Sequence, residues 1–133
     1  MTINELCEAT HQNAKEKGFW NKERNIGELL MLINSELAEA LEAHRKDRWT
    51  KGYDIQMMRD LDVFDGQPDQ YSVSAGFKED FEKNVKDTFE DEIADAFIRL
   101  ADLCCGLNID IESHIACKMA YNKTRERLHG KAY

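Results

Sequence analysis

Apolar residues recur at spacings of three and four along most of this chain, the period of a helix that buries one face. Ile26, Leu30, Ile33, Leu37 and Leu41 make the clearest stripe, and Asn25 ahead of them predicts an N-cap for a helix reaching about Lys46. An earlier helix is predicted from Thr2, also a capping residue, to a stop at Gly18. A long third helix is predicted over Phe77 to Cys105, closed by Gly106, and a fourth from Asp110 or Ser113 to about Arg127. Between Trp49 and Gly76 the periodicity fails. Asp65-Gly66-Gln67-Pro68-Asp69 and Ser72-Val73-Ser74 predict an irregular connection there, with a short helical turn near Ile55 to Leu61. The whole pattern predicts an all-α fold, a single domain over residues 1–133 built as an antiparallel bundle of about four main helices. Apolar surface on more than one side of those helices predicts a homo-oligomer.

Two interruptions of the stripes are acidic and share one spacing: Glu36-Leu37-Ala38-Glu39 and Glu92-Ile93-Ala94-Asp95. Residues at i and i+3 lie on one helix face, so each pair presents two carboxylates side by side. On a helical wheel Glu36 and Glu39 have Leu29, Leu32, Ala40 and Ala43 as neighbours; Glu92 and Asp95 border Phe89, Ile93, Ala96, Phe97 and Leu100. The acids are therefore expected at a helix–helix seam. One such pair, among 26 acidic residues, would read as an ordinary solvated face. Two pairs in apolar sectors, where lone carboxylates are costly, read as four hard oxygen ligands for Mg²⁺, with Mn²⁺ as a substitute. Glu28 and Asp102 extend the acidic surface as exposed or outer residues, and Arg99, one turn beyond Asp95, is expected to restrain the acids by a salt bridge.

Charge narrows the partners. The net charge of −8, from 18 basic and 26 acidic side chains, argues against a nucleic-acid polymer as ligand. It does not argue against a nucleotide, because a bound cation reverses the field around clustered carboxylates. No apolar run is long enough to span a bilayer, and the start MTINELCEATHQ lacks a signal peptide's basic and apolar regions. A cytoplasmic protein without a membrane partner is expected. Cys7, Cys104, Cys105 and Cys117 show no C-x-x-C spacing and are expected to be buried, reduced thiols.

The fourth helix carries the opposite charge. Lys118, Asn122 and Arg125 follow the i, i+4, i+7 rule and form one row of donors suited to phosphate oxygens. Alone, the row would read as a basic, solvent-facing C-terminal helix favoured by its dipole. Beside four carboxylates it reads as a triphosphate-binding row.

These residues carry a resemblance. Glu36-Leu37-Ala38-Glu39, then Glu92-Ile93-Ala94-Asp95, then Lys118-x-x-x-Asn122-x-x-Arg125 with His129-Gly130-Lys131 behind it, is similar to the MazG-like, all-α nucleoside triphosphate pyrophosphohydrolases. The likeness runs from about Trp20 to the C-terminus. It implies hydrolysis between the α- and β-phosphates of a (deoxy)nucleoside triphosphate, to a monophosphate and pyrophosphate, in nucleotide-pool house-cleaning. It implies that Glu36, Glu39, Glu92 and Asp95 bind Mg²⁺ and act in catalysis, one of them orienting or deprotonating water, while Lys118, Asn122 and Arg125 hold the triphosphate. It further implies base contacts from His11 and Trp20; the competing reading packs Trp20 across the bundle and leaves His11 on the surface. Trp49 is a second stacking candidate. Glu39 and Glu92 stand 53 positions apart (92 − 39), wider than in compact relatives, which leaves base preference open.

Within that superfamily, phosphoribosyl-ATP pyrophosphohydrolase and dUTPase- or dCTPase-like specificities are alternatives. Outside it stands a non-enzymatic helical interaction module whose acids bind a basic partner. A ferritin-like di-iron centre needs Glu-x-x-His motifs. Glu8-Ala9-Thr10-His11 and Glu126-Arg127-Leu128-His129 have that spacing but lie near the chain ends, away from the central pairs.

Overall fold

A computed structural model of the chain describes residues 1–50 and 77–132. Most of the expected irregular connection, including the turn near Ile55 to Leu61, lies outside the described residues. Those described form helices α1 (Ile3–Glu16), α2 (Ile26–Arg45), α3 (Phe77–Asn84), α4 (Phe89–Gly106) and α5 (Ile111–Lys123), then a 3₁₀ turn at Arg127–Gly130. The all-α expectation holds among them, and no described helix is long and apolar enough to cross a membrane.

Local chemistry sets the helix starts. The Thr2 hydroxyl accepts the Glu5 N–H at 3.1 Å and the Glu5 carboxylate accepts the Thr2 N–H at 2.6 Å, a reciprocal capping box. Asn25 caps α2 by accepting the Glu28 N–H at 3.0 Å, and Asp110 caps α5 by accepting the Ser113 N–H at 3.2 Å. Gly18, at φ +86°, turns the chain after α1 in a conformation that other residues adopt only with strain.

The predicted long third helix is two helices. After α3 the chain enters the left-handed region at Asp87 (φ +62°), and Thr88, in extended conformation, caps α4 through the Asp91 N–H. The Asp91 carboxylate accepts the Asp87 N–H at 2.9 Å. Thr88-Phe89-Glu90-Asp91 is thus a helix start inside a run whose apolar spacing continues through it, which is why periodicity alone merges the two.

Helix α4 is the centre of the packing, with α1 and α2 its two main partners. Along α1, Asn4 meets Asp110 just beyond α4, and His11 meets Asp102 farther back. Along α2, Glu36 meets Arg99, and Phe89 donates its N–H to the Arg48 carbonyl. Both contact series run in opposite chain order, so α1 and α2 are each antiparallel to α4. The buried residues at these seams are mostly small: Cys7, Ala40, Ala43, Ala96, Ala101 and Cys104. Cys117, by contrast with its expected burial, is exposed.

The stripe most prominent in the sequence does not face this core. Ile26, Leu30, Leu37 and Leu41 are 46–50% exposed, because α2 turns Glu36, Ala40 and Ala43 toward α4 instead. On α4, Phe97 is 67% exposed. Helix α5 has no buried residue and touches chiefly α1, through Asn4 with Asp110 and Glu112. A helix of 13 residues is marginal in water by itself.

Candidate metal centre

The face of α2 pressed against α4 carries Glu36, one helical turn before Ala40, and α4 answers with Glu92, one turn before Ala96. Small residues on both helices bring the backbones close at this level, so carboxylates from both sides meet. Glu36, Glu39 and Glu92 each offer an oxygen within 4.8 Å of the others. Glu36 and Glu92 are buried, each residue 6% exposed, while Glu39 opens to solvent. Two walls and a mouth result.

Glu92 has no hydrogen-bond or ion-pair partner for its carboxylate among the described residues. Burial first, then the negative charges of Glu39, Asp91, Glu36 and Asp95, push its pKa up to about 7. Asp95, one turn further along α4, is exposed and outside the tight triad, and burial of its carboxyl followed by Asp91 and Glu36 raises its pKa too. Of Glu36, Glu39, Glu92 and Asp95, Glu36 alone has a partner among the described residues: its Oε1 accepts from Arg99 Nε at 2.5 Å, the sequence having predicted a salt bridge from Arg99 without fixing which acid it meets. The set tests well as a cation site. Its donors are all carboxylate oxygens, from two rigid helices, around a buried carboxylate that lacks a partner; such donors suit hard divalent cations such as Mg²⁺ or Mn²⁺.

Asp87 and Asp91 also approach Glu92, all three within 4.8 Å. Their contacts explain them otherwise: Asp91 accepts the Asp87 N–H, and Asp87 pairs with Lys86. They hold the turn that leads into α4, and Asp91 adds negative potential at Glu92.

A cavity of about 190 Å³ adjoins the acids between α1, α2 and α4, its lining including Asp95, Arg99, Asn13, Phe19, Leu32 and Asp102. Asp102, expected to be an exposed or outer acid, anchors the first helical region here. The Trp20 Nε1–H donates to its Oδ1 at 2.9 Å and Oδ2 at 3.2 Å, and His11 Nδ1 lies 2.7 Å from Oδ1. The His11 and Trp20 rings meet edge-on with centroids 4.9 Å apart. His11 is therefore a paired, half-buried residue and not an ordinary surface histidine. The indole lies over Gly106, where an added Cβ would stand 2.5 Å from its Cη2. Asp102 and Gly106, four apart on α4, were the available signal: one acceptor and one gap on the same face.

Gly106→Ala should consequently destabilise the protein by about 1–2 kcal/mol, since overpacking of roughly 1–3 kcal/mol outweighs a helix-propensity gain of up to about 1. Denaturant unfolding, with indole fluorescence shifted toward that of exposed tryptophan, is the measurement. Wild-type stability and an unchanged spectrum would contradict the packing of Trp20 on Gly106.

Trp49 belongs to a different and exposed cluster, its ring 4.9 Å from Phe89 and 5.9 Å from His44, with Nε1 donating to Asp47 at 3.0 Å. Lys118, Asn122 and Arg125 remain together but apart from the acids. Lys118 Nζ and Arg125 Cζ lie 5.0 and 5.8 Å from the Tyr121 ring centroid, and neither forms an ion pair with a described acid. Asn122 Oδ1 is buried without a hydrogen-bond partner. The fold thus brings together Glu36, Glu39 and Glu92, with Asp95 alongside, and brings together His11 and Trp20. It leaves the basic row on α5 as a separate surface. The chain matches no protein-family model, no curated protein and no solved structure.

Proposed function

We propose that the chain is a Mg²⁺-dependent pyrophosphohydrolase of (deoxy)nucleoside triphosphates, as its resemblance to the MazG-like enzymes implies. The observation that carries this reading is the carboxylate triad Glu36, Glu39 and Glu92, drawn from two antiparallel helices around a buried Glu92 that has no partner among the described residues. A divalent cation there supplies charge neutralisation for phosphate oxygens and lowers the pKa of a bound water. The chain's own part is to hold the cation through the triad and Asp95, and to keep a carboxylate open to solvent at Glu39. In this reading Glu39, the solvent-facing acid of the triad, accepts a proton from the attacking water. Cleavage of the bond between the α- and β-phosphates yields a monophosphate and pyrophosphate, a reaction that needs positioning and charge more than covalent catalysis.

The adjoining cavity supports recognition of one heteroaromatic ring. At about 190 Å³ it is smaller than the roughly 300–1,000 Å³ pockets that enclose drug-sized ligands, so a base would fill it while the triphosphate stays outside. Trp20 and His11 border this region through Asp102. In this reading the chain works as a cytoplasmic homo-oligomer, dimer or tetramer. The α2 stripe, half-exposed among the described residues, is the contact face, and Lys118, Asn122 and Arg125 bind phosphate once α5 is packed in the assembly.

Incubation with Mg²⁺ and a panel of nucleoside and deoxynucleoside triphosphates, phosphoribosyl-ATP included, tests the reading by its products. Pyrophosphate and a nucleoside monophosphate are expected. Orthophosphate alone would reject the cleavage site, and no Mg²⁺-dependent turnover across the panel would favour the non-enzymatic interaction module.

A further inference from the structure

We propose that Arg99 is a movable counter-ion of the metal centre: it neutralises Glu36 until a divalent cation binds, then turns onto the anionic phosphates of the substrate. The inference rests on the metal-centre reading above and adds a residue that the acidic motif does not contain.

Four observations carry it. First, Arg99 is the sole described cation paired with the triad, so three carboxylates face one guanidinium. Second, the pair is asymmetric: the Glu36 side chain is 8% exposed and the Arg99 side chain 40%. The acid is fixed in the seam, whereas the base reaches in from solvent. Third, the contact is made through Nε alone, without the two parallel bonds of a fork-on Arg–carboxylate pair. Fourth, Arg99 also lines the cavity that Asp95 lines and Glu36 does not, so its side chain borders open space.

Elementary electrostatics then sets the order of events. Without a cation, Arg99 offsets part of the mutual repulsion of buried acids. With a divalent cation bound to Glu36, the guanidinium would face a like charge within a few ångströms, and its stabilising role there is lost. A planar guanidinium released at the rim of the site is suited to phosphate oxygens, which it binds in the same fork geometry as carboxylates.

A purely structural clamp predicts the opposite sign. If Arg99 merely holds Glu36 in place, removing it disorders a ligand and weakens cation binding. If it competes with the cation, removing it tightens binding. The test is titration of the full chain with Mn²⁺ alone, by calorimetry or by the electron paramagnetic resonance signal of free Mn²⁺. Wild type, Arg99→Met, Arg99→Gln and Arg99→Lys are compared. Arg99→Gln keeps a donor for Glu36 without the charge and serves where Arg99→Met fails to fold.

The neutral variants should bind Mn²⁺ roughly tenfold more tightly than wild type, and Arg99→Lys should stay near wild type. With saturating Mn²⁺, their affinity for inorganic tripolyphosphate should fall by about tenfold or more. Unchanged or weaker Mn²⁺ binding in both neutral variants overturns the exchange. Tighter Mn²⁺ binding with undiminished tripolyphosphate affinity overturns the transfer to phosphate. Glu39→Gln separates the two levels of inference: equal Mn²⁺ titrations for it and wild type would remove the metal centre itself.

Discussion

Glu92→Gln is expected to act in two opposite directions, stabilising the cation-free protein at neutral pH and abolishing Mg²⁺-dependent turnover. The stabilising half follows from burial, which with the neighbouring acids pushes the Glu92 pKa up to about 7 from an ordinary 4.5. A carboxyl with a raised folded-state pKa holds its proton in the native protein at pH values where the unfolded chain has released it. Its favourable contribution is fully present below about 4.5 and is lost as pH rises through about 7. At 1.36 kcal/mol per unit, the penalty at and above neutrality is at most roughly 3 kcal/mol. Glutamine removes that charge at nearly constant volume. The variant should unfold several degrees higher than wild type at pH 8 without divalent ions, with the difference vanishing near pH 4.

The destabilising half concerns function. A glutamine amide is a poor substitute for a carboxylate ligand, so Mg²⁺ affinity and turnover should fall by at least about 100-fold. Wild-type protein should show the complementary behaviour: Mg²⁺ or Mn²⁺ raises its melting temperature most at high pH, where Glu92 is charged. Thermal unfolding across pH, with and without divalent ions, checks both halves. A variant less stable than wild type at pH 8 would show that Glu92 is satisfied by contacts other than a cation.

If the chain forms the proposed homo-oligomer, introducing charge on the outer face of α2 should dissociate it. Ile26, Leu30, Leu37 and Leu41 are each about half exposed, and on α4 Phe97 and Leu100 are 67% and 45% exposed. Contiguous apolar surface of this kind marks an interaction face, and in a two-fold contact each residue acts twice. Leu37→Glu with Leu41→Glu removes the burial of four leucines per dimer. At about 1 kcal/mol for each half-exposed side chain covered, the loss corresponds to a dimer weakened on the order of a thousandfold. Sedimentation at micromolar concentration should find wild type as a dimer or tetramer and the variant as a monomer. A wild type that sediments as a monomer would mean that the stripe serves no self-association.

The outer face also shows where helical periodicity misleads. Ile26, Leu30, Leu37 and Leu41 dominate α2 in the sequence because large apolar residues are conspicuous, but close approach to α4 selects Ala40 and Ala43, with Glu36 between helices. Hydrophobic spacing identifies which residues share a face. It does not say which partner that face meets, or whether the partner is in the same chain. The break at Asp87–Thr88 was hidden for a related reason: a helix can restart in phase with its predecessor, and only the Thr88 and Asp91 side chains mark the join.

The acidic pairs were legible because i, i+3 spacing and apolar neighbours are properties of one helix. Three of the four acids, Glu36, Glu39 and Glu92, converge, while Asp95 stands beside them. Of the Asp102 anchor only the acceptor and the gap at Gly106 on one face of α4 were legible; its partners Trp20 and His11 were not, since the contacts join residues 82 and 91 positions apart.

Helix identity, the Thr2 and Asn25 caps and the spacing of each carboxylate pair are local, set by backbone hydrogen bonding and the helical period, and a single strand of residues determines them. Tertiary packing alone decided which face of α2 turned inward, that Arg99 met Glu36, and that Glu92 came to rest buried with no partner among the described residues. Those outcomes depend on how closely α2 and α4 approach. That distance is set by the small side chains of two helices together and belongs to neither alone.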